Sequence, residues 1–273
     1  MGMISLLVLC AVCCQLSQAL QAAKGLPSIA VFGGSGKAGS ECVQQALNLG
    51  ERVCVMTRSP SKAVTTPAGS GGSDAGRVIT DPKLAVYQGS VTNQADVDRV
   101  FAENNVKSVV IALGGRSKDV GATMLQDGTR CIINAMKKHD VKRVVAITSI
   151  GAGDSITQAP FVFKMLMKTV MKKTMADKNK QEQLFLANNG LGHDLDYCIV
   201  RPGQLGVGAP TGIVDVVDGK AGRIQRADLA SFCLKAVREE DFPYLKRAVC
   251  VCSVDGTGWT KVKKEGFDEV TSA

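Results

Sequence analysis

The chain has 273 residues, 45% of them hydrophobic, and carries a formal net charge of +8 at pH 7. That length suits one large α/β domain with an ordinary core. An aromatic content of 4%, without aromatic–basic alternation, argues against a stacking surface for single-stranded nucleic acid, and no zinc-type pair or helix-turn-helix pattern appears. The positive balance suits an anionic ligand, an acidic partner or a membrane surface without choosing among them.

The chain opens with Ile4 to Val12, an apolar run as long as a signal-peptide core and too short to span a bilayer. Ser17-Gln18-Ala19 offers small residues at the spacing a signal peptidase reads, so residues 1–19 are expected to be a targeting segment; a buried N-terminal helix is the alternative. Of the ten cysteines, Cys10, Cys13 and Cys14 would leave with it. The other seven have no metal-type spacing, and Cys54, Cys198, Cys250 and Cys252 lie in apolar strand-like runs, where a free thiol behaves as a small hydrophobe. This is a reduced-compartment pattern, at odds with secretion. An organelle reached through a secretory-type signal, such as a plastid, satisfies both observations; a cytoplasmic protein is the alternative.

From Ile29 the pattern becomes strand, glycine turn, helix: Ile29–Phe32, then Gly33-Gly34-Ser35-Gly36-Lys37-Ala38-Gly39, then a segment to Leu49 that Gly50 ends. Glycines at 33, 36 and 39 let the backbone turn tightly, approach a pyrophosphate and pack the helix on the strand. The helix N-terminus would point its unpaired N–H groups at the phosphates. A second strand, Glu51–Arg58, ends in a basic residue about twenty residues past the loop, where a dinucleotide fold reads the adenosine ribose. Arg58 would pair with a 2′-phosphate, which makes the expected cofactor NADP, with Ser59, Ser61 and Lys62 as further partners. A solvated strand-end charge is the other reading of Arg58.

Ser59–Pro82 lacks periodicity and is rich in Thr, Pro, Gly and Ser, so it reads as a flexible surface insertion. A third strand at Leu84–Gln88 precedes a helix capped by Asn93, with Asp96 three residues on. A fourth, Lys107–Leu113, ends in Gly114-Gly115-Arg116, a helix covers Val120–His139, and a fifth strand, Val141–Thr148, ends in Ser149-Ile150-Gly151-Ala152-Gly153. Small residues at these ends leave room for a ligand. Phe161–Lys180 reads as a basic, Met-rich amphipathic helix with Lys164, Lys168 and Lys172 on one side. It could rest on an anionic membrane, dock a protein, close over a substrate or simply pack on the core. A sixth strand, Asp196–Val200, leads to Arg201-Pro202-Gly203. A helix, Arg226–Glu239, carries Asp228 at the positive end of its dipole; a strand, Arg247–Val254, follows, then a polar tail, 256–273, with Trp259 as a packing anchor. His139 and His193 read as surface residues, and no metal site is expected. Strand–helix alternation over 28–255 implies right-handed crossovers and a doubly wound, mostly parallel sheet, the Rossmann fold, in a single domain.

Taken together, Val31–Gly39, Thr57-Arg58, Ala112-Leu113-Gly114-Gly115, Thr148–Gly153, Asp196–Gly203 and Arg226-Ala227-Asp228-Leu229-Ala230 resemble the atypical short-chain dehydrogenase/reductases of the NAD(P)H-binding, NmrA-like kind, which includes flavin reductase/biliverdin reductase B-like proteins. The resemblance implies NADP(H), held by the glycine loop and Arg58, with Leu113, Gly114, Gly115, Thr148 and Ser149 beside the nicotinamide. The chain departs from the family's Tyr-x-x-x-Lys pair: four residues beyond Tyr87, Tyr197 and Tyr244 stand Val91, Arg201 and Ala248. Ser90 replaces an Asp that many relatives carry near the adenine. Ser149 and Lys178 are the candidate catalytic residues: Ser149 as a hydroxyl near the nicotinamide, with a strand-end turn residue as its other reading, and Lys178 because Lys178 with Glu182 resembles the subgroup's Lys-x-x-x-Glu, although a solvent-facing i,i+4 ion pair has the same spacing. The expected activity is NADPH-dependent reduction of a small flavin- or quinone-like acceptor. The alternatives are a non-catalytic NADP(H)-binding module that senses redox state or docks a partner, and an epimerase or dehydratase of a sugar-like substrate.

Overall fold

A computed structural model describes residues 26–59, 64–115, 121–159, 161–218, 222–253 and 263–264. The proposed targeting segment, Ser61, Lys62, Arg116 and Trp259 lie outside them.

Seven apolar strands form one parallel array: β1 (Pro27–Phe32), β2 (Arg52–Thr57), β3 (Leu84–Gln88), β4 (Asn105–Ile111), β5 (Arg143–Ile147), β6 (Asp196–Pro202) and, later in the chain, β10 (Arg247–Cys252). Two antiparallel strands, β8 (Asp215–Asp218) and β11 (Lys263–Lys264), complete a nine-stranded sheet in the order β11-β8-β10-β6-β5-β4-β1-β2-β3. Short β7 (Gln204–Gly206) and β9 (Arg223–Gln225) pair separately. Helices α1 (Lys37–Asn48) and α6 (Arg226–Arg238) pack together on one face of the sheet, and α2 (Gln94–Glu103), α3 (Met124–Lys138) and α5 (Lys172–Leu186) on the other. Runs such as Val53-Cys54-Val55-Met56 are buried throughout because helices cover both sides of the strands. Strand order reverses between β1 and β4, which opens a crevice above their carboxyl ends.

Three expectations are corrected. The 59–82 segment is not a free insertion from Val64 onward: Val64 and Thr66 are buried, Thr65 bridges Val78, and the buried Glu41 carboxylate on α1 accepts from the backbone N–H of Gly69 (2.9 Å) and Ser70 (3.0 Å). Composition hid this because the anchor is a single carboxylate on another element. Phe161–Lys180 is two helices, α4 (Phe161–Lys168) and α5, broken where the Met171 N–H turns back to the Leu166 carbonyl (3.1 Å), so Lys172 does not share a face with Lys164. The polar tail is not wholly outside the sheet, since β11 pairs with β8.

All seven cysteines of the described residues are free, and all but the half-buried Cys131 are buried. Burial pushes Cys54, Cys198 and Cys250 up to about 12, which leaves them protonated and inert. His139 is half-buried and stacked on Phe101 (ring centroids 5.8 Å apart) rather than a plain surface residue, whereas His193 is exposed.

Candidate functional site

The crevice floor is the glycine turn. The Ala112 N–H donates to the Phe32 carbonyl (2.8 Å), which holds the ends of β1 and β4 level. Gly33 has φ +90°, and a Cβ there would strike the Ala112 carbonyl. At Gly39 a Cβ would strike the Gly33 carbonyl, so its absence lets α1 seat directly on the turn. A Cβ on Gly34 would lie 2.8 Å from the Val55 methyls. The Gly36 N–H closes the turn on the Gly33 carbonyl (2.9 Å), leaving Ser35, Gly36 and Lys37 exposed at the rim beside half-buried Ala38. No side chain caps α1 and its first turn holds no acidic residue, so its N–H groups suit an anion. These residues fit a dinucleotide pyrophosphate.

Arg58 is exposed at the end of β2 and lines an open pocket of about 450 Å³ with Gln88, Gly89, Ser90, Asp96 and Arg99. Sequence reasoning missed Arg99, which reaches from α2 to donate to the Gln88 carbonyl. Nothing in its local pattern marks it, since the β3–α2 turn is what brings it beside Arg58. The Asn93 cap is as expected, accepting from Ala95 (3.0 Å) and Asp96 (3.3 Å) N–H groups. Asp96 itself accepts from the Ser90 N–H (2.9 Å) and shapes this turn.

Leu113 is buried and Gly114 and Gly115 are exposed at the end of β4, next to Gly33. Beyond them, at the end of β5, stands a polar cluster organised by α5. Lys178 Nζ donates to the Thr148 carbonyl (3.1 Å), and the Thr148 hydroxyl donates to Glu182 Oε1 (2.7 Å). Glu182 is fully buried and takes a bidentate Arg201 guanidinium, Nε to Oε1 at 3.1 Å and Nη2 to Oε2 at 2.6 Å. Nη1 of Arg201 reaches Asp154 at 2.6 Å. Desolvation opposes the Arg201 charge, but the Glu182 hydrogen bonds and charge outweigh it and raise its pKa. The solvent-facing Lys178–Glu182 pair is thereby corrected: Glu182 is committed to Arg201 and Thr148. The Lys178 amine is desolvated enough to be pushed down to about 8 despite the charges of Glu182 and Asp177. The half-buried Ser149 donates its hydroxyl to the Ile150 carbonyl (3.0 Å).

The same helix holds α3 in place, its Asp177 accepting from the N–H groups of Leu125 (2.9 Å) and Gln126 (3.0 Å). At the far side, buried Asp228 accepts from the Thr211 and Gly212 N–H groups and the Ser253 hydroxyl, so it anchors a loop to α6. None of the three tyrosines reaches the crevice. Tyr87 accepts from Asn104, which immediately precedes β4; Tyr197 is near the start of β6; and Tyr244 packs on Phe232 and Phe242. No group able to hold a metal ion is found among the described residues.

A family model for NAD(P)H-binding proteins matches residues 33–240. Protein TIC 62, chloroplastic, of Oryza sativa subsp. japonica is 26% identical over 182 residues, covering 64% of this chain and 34% of that protein. The chain spans about a third of the length of the curated relatives it matches. Among solved structures, ChuY, an anaerobilin reductase from Escherichia coli, superposes with a TM-score of 0.63 at 21% identity, over 84% of this chain and 98% of ChuY. A short-chain dehydrogenase/reductase from Veillonella parvula in complex with NADP gives 0.63 at 12% identity, over 85% and 96%. At these identities the structural likeness is one of fold.

Proposed function

The chain belongs to the NAD(P)H-binding family, and from that premise we propose that it is an NADPH-dependent reductase of a flat conjugated acceptor, flavin- or quinone-like. The observation that carries this reading is a dinucleotide cradle with no tyrosine at the carboxyl ends of β1, β4, β5 and β6, the strands that border it. NADPH supplies a hydride, and transfer to a flat conjugated acceptor needs mainly a close stacked approach. The glycine turn and the α1 N-terminus hold the pyrophosphate. Arg58 with Arg99 selects the 2′-phosphate, and Leu113 to Gly115 leave space for the nicotinamide. Thr148, Ser149 and Lys178 stand where the acceptor would sit, Lys178 as the positive group beside the charge that develops on it.

The test is NADPH oxidation against a panel of free flavins and quinones, with Arg58→Glu as the probe. Losing a charge-assisted hydrogen bond of about 1.5–3 kcal/mol weakens NADPH binding by roughly 10- to 100-fold. NADH binding should hardly change. An equal loss for both cofactors would remove Arg58 from the 2′-phosphate site, and no turnover with any acceptor would sink the reductase. The engaged Ser149 hydroxyl favours a second reading, a non-catalytic NADP(H)-binding redox sensor, which tight binding without turnover would select. The buried reduced thiols and the chloroplastic relative support a plastid as the compartment.

A further inference from the structure

Helix α4 is apolar on two opposite sides. Its inner side seats Met167, with half-buried Phe163, in a cluster with Ile150, Ala152 and Met175, and Met167 Sδ lies where a Cβ on Gly151 would be. Its outer side leaves Phe161 75%, Met165 56% and Leu166 42% exposed, and the turn that follows presents Val170 at 83%. At 100° per residue, Phe161, Met165 and Leu166 fall within one arc, away from Met167. An exposed cluster of large apolar side chains on one side of a helix marks a contact surface, so the outer side belongs against an apolar phase. No helix among the described residues is long and apolar enough to cross a membrane, so that phase would be met from outside.

Charge identifies the phase. Lys168, Lys172 and Lys173 are exposed around this patch, and no ion pair engages them among the described residues. No acidic residue lies between Asp154 and Asp177. Apolar side chains rimmed by uncompensated lysines match the boundary of an anionic bilayer, where the former enter the acyl layer and the latter meet the headgroups. We propose that the outer face of α4 and the turn after it form a docking surface for an anionic phospholipid membrane. The inner side of the same helix rests on the turn after β5, so docking sets the candidate crevice close to the bilayer. The inference goes beyond the reductase reading and does not depend on turnover.

Flotation of the full chain with phosphatidylcholine vesicles, with and without phosphatidylserine, tests it. Binding is expected to be at least about tenfold stronger with phosphatidylserine and to weaken as salt is raised. Phe161→Asp combined with Val170→Asp, and separately Lys168→Glu with Lys172→Glu and Lys173→Glu, should each reduce it at least about tenfold. Thermal melts followed by circular dichroism check folding without reference to cofactor binding; if the aspartates impair folding, Phe161→Ser with Val170→Ser replaces them. Absence of vesicle binding, or binding undiminished in the folded variants, overturns the proposal. So does a concentration-dependent dimer that Phe161→Asp dissociates when no vesicle binding is seen, since the face then belongs to a second copy of the chain.

Discussion

Lys178 is where sequence and structure meet most closely at the residue scale. Its amine is an ordinary 10.5 in the unfolded chain and about 8 when folded, chiefly because burial disfavours the charge. If the ammonium assists the acceptor, turnover is flat at neutral pH and falls by up to about tenfold per pH unit above about 8. Lys178→Met should lower turnover at neutral pH and erase that limb, which a pH–rate profile of both proteins would reveal. The stability sign runs the other way. Because the folded state releases the proton first, the cost of burying the ammonium is present below about pH 8 and is relieved as pH rises toward 10.5. An activity loss coinciding with a gain in urea resistance would therefore exclude unfolding as its cause.

The fixed joint at the scale of elements is the buried Glu182–Arg201 pair, which ties α5 to β6 and, through Thr148, to the end of β5. Arg201 is 3% exposed and Glu182 0%, whereas Asp154, the other partner of Arg201, is 88% exposed. Breaking a buried pair strands a charge and costs about 3–5 kcal/mol, while an exposed partner contributes about 0–1 kcal/mol. Glu182→Gln should thus shift the urea midpoint far more than Asp154→Asn, although both touch the same guanidinium. Comparable shifts would mean that the interior joint is not what holds these elements. The spacing Lys178-x-x-x-Glu182 was visible in the chain, but a helical i,i+4 spacing fits a surface ion pair and a split engagement equally well. Only the position of Arg201 on β6, directly against α5, separates them.

Across the whole molecule, the parallel sheet explains the thiols. Strands covered on both faces place Cys54, Cys198 and Cys250 in the interior, and α1 and α6 bury Cys42 and Cys233 between them. Brief alkylation of the native protein, mapped by mass spectrometry, should mark Cys131 among the seven described cysteines and leave the other six unmodified until global unfolding. Early labelling of Cys54 or Cys198 would show the sheet opening well below its melting point.

The doubly wound, mostly parallel sheet and the glycine turn were determined by the chain itself. Apolar runs, turn residues and helical periods are local signals, and right-handed crossovers leave few ways to assemble them. The place of Arg58 at the end of β2 was legible for the same reason, since its distance from the glycine turn is fixed by one strand–helix–strand unit. What only the tertiary structure decided is which polar groups meet across elements: Glu41 with the 69–70 backbone, Asp177 with the start of α3, Arg99 with the pocket of Arg58, and Glu182 with Arg201. A buried carboxylate has no period of its own. Its partners are set by three-dimensional packing, so the same Asp or Glu that reads as a solvated charge in sequence becomes a joint once a hydrophobic face closes over it.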